Sequence, residues 1–300
     1  MITAMLMACS SDEPAIMNTP TITGTVLDQN DGAYDNVEVR LVQSGTQISS
    51  LKSDPSGEFI FTNLNDGTYE IEIDPPLATS VQGSNPISLA VDMNGAAADF
   101  TLNLSEVPAY IIGSDLDPYG EIKNSNRLNP QDQDEIYAVN VFSDQQLVPI
   151  YAPDGHQLTL SEWKEAEGTA RFRCIGRATF YEMEFSGLIP NGVYTVWVSP
   201  LLSQKTVQSV WTPNTDILGV GALGGSGGLK NIVMADELGN ALLTGDMGSG
   251  PLSNFGEITS CVLTSANGLA MILDYHIDGN TYGDTAGPDH TEVGHMIFLF

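Results

Sequence analysis

The sequence predicts an all-β protein built as two β-sandwich domains, and three observations predict it. Short runs of β-branched and aromatic residues recur along the whole chain. Turn clusters such as Asn30-Asp31-Gly32, Asp54-Pro55-Ser56-Gly57 and Asn65-Asp66-Gly67 punctuate them. Within the runs, apolar and polar residues alternate, which gives a strand one buried face.

Taken in order, the first strands are expected at residues 21–27, 37–42, 57–62, 67–73 and 97–104. Val37, Val39 and Leu41 share one face, with Glu38 and Arg40 opposite; Phe59 pairs with Phe61, and Tyr69 lines up with Ile71 and Ile73. Residues 105–135 read as a linker, because they carry Pro108, Pro118 and Pro130, then Asn124, Asn126 and Asn129, and end near an acidic run. The second sandwich is expected over residues 136–300. A short helix at 160–167 follows from Thr159 and Glu162 at capping-box spacing, with Trp163 as its anchor. Residues 179–185 alternate cleanly, while 193–198 are apolar on both faces and so predict a central strand. Met296–Phe300 is expected to be a buried final strand.

Charge narrows the function classes. The 300 residues include 38 acidic and 10 basic side chains, a formal net charge of −28. Too little positive charge remains to displace counterions from phosphates, which excludes unaided nucleic-acid binding, or to dock on an anionic membrane. Ligands held by charge are expected to be cations. Apolar runs such as Leu269–Leu273 are far too short to span a bilayer.

The sequence carries three resemblances. Thr23-Gly24-Thr25-Val26-Leu27-Asp28, Asn36-Val37-Glu38-Val39-Arg40-Leu41, Ser53-Asp54-Pro55-Ser56-Gly57-Glu58-Phe59-Ile60-Phe61 and Leu64 with Asp66-Gly67-Thr68-Tyr69 stand in a row. Residues 20–104 therefore resemble a carboxypeptidase regulatory-like or Cna-B-type domain, a prealbumin-like, Ig-like sandwich. The resemblance implies a spacer or a binding accessory, in some relatives for carbohydrate. Gly187–Trp197 and His276-Ile277-Asp278-Gly279 are similar to secreted prokaryotic proteins of unknown function. Leu6-Met7-Ala8-Cys9 resembles the lipobox of bacterial lipoproteins, and Ser10-Ser11-Asp12-Glu13 the acidic tether of surface-exposed ones. This implies lipidation of Cys9 and a lipid-anchored, extracytoplasmic place on the outer membrane or cell surface. Because no Lys or Arg precedes Arg40, residues 1–19 read as a truncated signal and tether.

With Cys9 set aside, Cys174 and Cys261 form an even pair. Cys174 alternates with Ala170 and Phe172, and Cys261 with Leu263, so both are expected on core faces of strands and joined as a disulfide. The competing expectation is two buried free thiols.

Several motifs are candidates for chemistry. Gly219–Gly224 fits G-x-G-x-x-G, but the glycines that follow cannot open the helix a dinucleotide site needs. Gly224–Gly228 fits G-x-S-x-G around Ser226, with Asp236 or Asp246 and then His276 in hydrolase order, yet no α/β context surrounds it. Ser161 and Lys164 stand at S-x-x-K spacing, with Lys164 expected as a solvated residue. Asp115, Asp117 and Glu121 occupy the first, third and seventh positions of a calcium loop, which Tyr119 and Asn126 break at the fifth and twelfth. His276, His290 and His295 cluster late in the chain, with Asp278, Asp284 and Asp289 nearby, as candidate ligands for a transition metal. Trp211, leading into Thr212-Pro213-Asn214, is the candidate platform for a sugar ring.

The leading expectation is a non-enzymatic cell-surface lipoprotein, structural or binding an extracellular glycan or protein. The competing one is a secreted metal-binding protein or metal-dependent enzyme using the late histidines.

Overall fold

The computed structural model describes residues 19–139, 144–212, 215–224, 230–247, 250–251, 257–258 and 261–300. Cys9 and Ser226 lie outside them, so neither the lipid anchor nor the G-x-S-x-G serine has a described position.

The first part is a sandwich of two sheets. One runs in the order Glu58–Phe61, Ile22–Asp28, Phe100–Leu104 and Thr79–Gln82, with Ala96–Ala97 pairing beside Ile22 and Thr23. The other runs Thr46–Lys52, Glu38–Gln43, Gly67–Ile73 and Ile87–Val91. Ile22, Val26, Phe59, Phe61, Phe100 and Leu102 from one sheet are buried, as are Val39, Leu41, Tyr69, Ile71 and Ile73 from the other. The alternation in the sequence is therefore the alternation of the core. Gly57 closes the hairpin at φ +76°, and a Cβ there would lie 2.5 Å from the Val26 carbonyl oxygen, so only glycine fits.

The larger part is organised by a nine-stranded sheet. Its order is Gly221–Ala222, Val193–Pro200, Leu269–His276, Glu292–Leu299, Glu106–Ile111, Glu167–Ile175, Ala178–Ser186 and Ala241–Met247, with Ile232–Met234 also pairing on Val193–Pro200. The turn at 235–240 joins strands from opposite ends of this path, so the sheet curls back on itself. Tyr194–Ser199 is buried throughout, as a central strand should be.

The linker expected at 105–135 is corrected. Glu106–Ile111 is an interior strand, paired through Glu106–Pro108 with Thr169–Arg171 and through Ala109–Ile111 with Met296–Phe298. Pro108 falls where pairing passes from one neighbour to the other, so its missing N–H interrupts no continuous ladder. Ile122–Lys123 begins a small three-stranded sheet with Tyr137–Val139 and Leu147–Pro149. The helix is shorter than expected, Leu160–Trp163, because the strand from Glu167 takes over the chain. Its capping box is formed: the Thr159 N–H donates to Glu162 Oε2 at 2.8 Å, and the Glu162 N–H to Thr159 Oγ1 at 3.4 Å. Trp163 is fully buried and donates to the Ile112 carbonyl at 3.0 Å.

Cys174 and Cys261 are joined as a disulfide spanning 87 residues. Cys261 does not lie on a strand; it precedes the one-turn helix Val262–Ser265. That helix also touches the first sandwich. Asn36 Nδ2 donates to the Thr264 carbonyl at 2.9 Å, and the Leu77 N–H to the Leu263 carbonyl at 3.0 Å. Asp35 and Arg177 approach to 3.5 Å beside them.

Candidate functional site

Three central strands place one row of side chains on the same face of the large sheet. Thr195, Asp274 and Gly294 are paired in register, and so are Trp197, Ile272 and Ile297. The three-stranded sheet and the loops around Tyr119, Trp211 and His290 cover this face. Between them lies a cavity of about 260 Å³, walled by Trp197, Trp211 and Tyr119 on its aromatic side and by Ile272 and Ala138 on its aliphatic side. An engineered apolar cavity of about 150 Å³ takes up a benzene ring, so this one is of small-molecule size.

Three acids face into it: Glu121, Asp274 and Glu292. Asp274 is half-buried and lines the cavity. Its pKa is raised well above the ordinary value, first by burial and then by the negative charges of Glu292 and Glu121. Burial, with Asp117 behind it, pushes Glu121 up to about 7. Glu292 is raised by burial, although its Oε1 accepts from the Gly287 N–H at 3.3 Å. Its Oε2 is buried with no hydrogen-bond partner among the described residues, and so is the Trp211 indole nitrogen.

Trp211 is held rather than free. Its ring meets Tyr119 edge-on at 6.2 Å, and Lys205 Nζ sits 5.6 Å from its centroid. Lys205 pairs with Asp216 at 2.8 Å, and Asp216 accepts from the Thr212 N–H, which fixes the loop. The sequence placed Trp211 on a loop; the structure makes it a half-buried wall of the cavity.

The metal expectation for the histidines is corrected. His276 Nε2 meets Thr195 Oγ1 at 2.9 Å, and Thr195 also accepts from the Trp197 indole at 2.9 Å. His295 sits on the opposite face, stacked 3.7 Å from the Trp163 ring with Nε2 donating to the Trp163 carbonyl at 2.8 Å. A β-bulge interrupts the pairing between Leu273 and Asp274, and His295 is the extra residue opposite it, between Gly294 and Met296. His290 lines the cavity and pairs with Asp144 at 3.0 Å. Two rings on opposite faces of a sheet cannot share an ion. Burial lowers the pKa of both His276 and His295, the latter to about 4.

The calcium loop is corrected as well. Asp115 accepts from the Ile111 N–H at 2.8 Å, and Asp117 accepts from the Glu121 N–H at 2.8 Å and pairs with Lys123 at 3.1 Å. These carboxylates fold the loop, while Glu121 turns into the cavity. No group of three or more His, Cys, Asp or Glu among the described residues can hold a metal ion.

The remaining motifs do not assemble. Gly221–Ala222 lies in an antiparallel pair with Trp197–Val198, not at the mouth of a βαβ unit. Asp236 caps its own turn, and Asp246 pairs with Lys230 at 3.1 Å. Lys164 pairs with Asp132 at 2.9 Å. Sequence reasoning did not single out Asp274 or Glu292. Asp274 had a signal: it is the one charge in Leu269-Ala270-Met271-Ile272-Leu273-Asp274-Tyr275.

The first part of the chain is an Ig-like β-sandwich module by its sheets and core. Residues 21–103 match the family model of the carboxypeptidase regulatory-like domain, and this part of the chain is such a domain. No curated protein matches the chain in sequence. Among solved structures, a streptococcal ancillary pilin is similar at 11% identity over 95% of this chain and 60% of its own, with a TM-score of 0.31. The chain thus spans less than two thirds of that pilin. A DUF3823 family protein from Bacteroides ovatus is similar at 11% identity over 92% of this chain and 97% of its own, with a TM-score of 0.27. Another from Parabacteroides merdae is similar at 13% identity over 93% and 98%, with a TM-score of 0.24.

Proposed function

We propose that the protein is a non-enzymatic, extracytoplasmic binding protein, in which the carboxypeptidase regulatory-like domain carries a larger β-domain that takes up one small molecule. The carrying observation is the cavity under Trp211: aromatic and aliphatic walls with Glu121, Asp274 and Glu292 in its lining, the carboxyls of Glu121 and Asp274 making no hydrogen bond to any described residue. Binding sites are concave and mostly apolar, with a few convergent polar groups that fix orientation. Leaving such groups unpaired costs stability, and a ligand that pairs them recovers it. A sugar ring stacked on Trp211 is one occupant of suitable size. The disulfide supports an oxidising compartment. Lipidation at Cys9 would place the protein on the cell surface, and Cys9→Ala releasing it from the membrane fraction tests that.

The test of binding is a thermal-shift screen of neutral and charged compounds against the wild type and Trp211→Ala. A compound that stabilises only the wild type supports the reading. Equal shifts in both proteins for every compound remove it.

A further inference from the structure

We propose that the occupant of the cavity is an organic cation, an amine or ammonium of about ten non-hydrogen atoms, held by Asp274, Glu121 and Glu292 against the rings of Trp211, Trp197 and Tyr119. The inference rests on the binding reading above and names the ligand class.

Three observations converge. The carboxyl groups of Asp274 and Glu121 make no hydrogen bond to any described residue, although both residues are half-buried and line the cavity. A buried carboxyl without partners is costly, and proteins rarely keep one that does no work. Next, the charges that act on Asp274 and Glu121 are all negative: Glu292 and Glu121 on the first, Asp117 on the second. The neighbouring lysines are committed elsewhere, Lys123 to Asp117 and Lys205 to Asp216, and the His290 ring meets Asp144. Among the described residues, three acids and no Lys or Arg line the cavity. Finally, no three acidic, His or Cys side chains among the described residues are grouped so as to ligate one metal ion. A cation with a body, lying between carboxylates and aromatic faces, fits this arrangement; a neutral sugar offers these acids no counter-charge.

Binding exchanges ions. A protonated amine enters, a cavity carboxyl gives up its proton to solvent, and an ammonium–carboxylate pair remains. The groups facing this exchange are the three acids, with Asp117 and Lys123 behind Glu121, Asp278 behind Glu292, and the Asp144–His290 and Asp216–Lys205 pairs at the rim. Affinity should rise with pH as the acids ionise more readily.

Calorimetry with 2-phenylethylamine and its isostere 2-phenylethanol separates charge from shape. The amine should bind about tenfold or more tightly than the alcohol, with proton release seen as a buffer-dependent heat. Asp274→Asn and Glu121→Gln, each checked for folding by circular dichroism, should each weaken the amine about tenfold and leave the alcohol unchanged. Equal binding of amine and alcohol, or binding of glucose without the amine, overturns the cation assignment and keeps the cavity as a binding site. Failure of every probe, including the screen under Proposed function, overturns both.

Discussion

Asp274 and Gly294 face each other across two neighbouring central strands, and both line the cavity. A Cβ at 294 would lie 2.8 Å from Ile112 Cδ1 and 3.6 Å from Asp274 Oδ1.

That contact defines a mild variant. The Ile112 methyl is the end of a flexible side chain and can swing aside, so Gly294→Ala should change stability by no more than about 1 kcal/mol. Gly294→Leu would overfill the space and cost about 1–3 kcal/mol. Urea denaturation of both variants checks the contrast.

Glu121 predicts an unusual pH dependence. Its folded pKa is raised from 4.5 to about 7, so the folded state holds the proton longer than the unfolded chain. Its stabilising contribution is complete below about pH 4.5 and is lost as pH rises towards 7, a loss of roughly 3 kcal/mol. Glu121→Gln should remove that fall. The difference between wild-type and variant stability across this range is the measurement.

His295 has the opposite sign. Its folded pKa is lowered from 6.5 to about 4, so the neutral ring is the folded form. Its contribution is present above about pH 6.5 and is lost as pH falls towards 4, again by roughly 3 kcal/mol. His295→Phe keeps a ring against Trp163 and should flatten the acid limb of the stability curve, while losing the bond to the Trp163 carbonyl at every pH. The two slopes oppose each other between pH 4.5 and 6.5, so only single-variant differences resolve them.

The disulfide closes a separation of 87 residues, and in the chain-entropy model its loss destabilises by about 4.5 kcal/mol. The double substitution of Cys174 and Cys261 by serine should lower the denaturation midpoint accordingly. In the native wild type, both sulfurs should resist alkylation until reductant and denaturant are present together.

The elements legible in the sequence were those with a strict period. Phe59, Phe61, Tyr69, Ile71 and Ile73 alternate, and all are buried as read. The capping box at Thr159 and Glu162 was legible because it is local. What was lost is non-local. Pro108 marked a linker only because its partner strands, one of them nearly two hundred residues away, were not in view. The bulge at His295 shifts the phase of the last strand, and no composition signal announces a bulge. The site escaped for the same reason: Glu121, Asp274 and Glu292 meet only through sheet register and a covering loop. Glu121 was singled out for the wrong chemistry, since a calcium loop and a cavity wall both ask for an acid.

The one-turn helix Val262–Ser265 belongs to one domain through the Cys174–Cys261 bond and grips the other through two of its carbonyls. Domains joined by small polar contacts swivel by default. Here a swivel would tear the Leu263 and Thr264 carbonyls from their donors and part Asp35 from Arg177, while the covalent bond keeps the helix from following. The carboxypeptidase regulatory-like domain is therefore a handle and not a leash: whatever grips residues 21–103 also sets the bearing of the cavity.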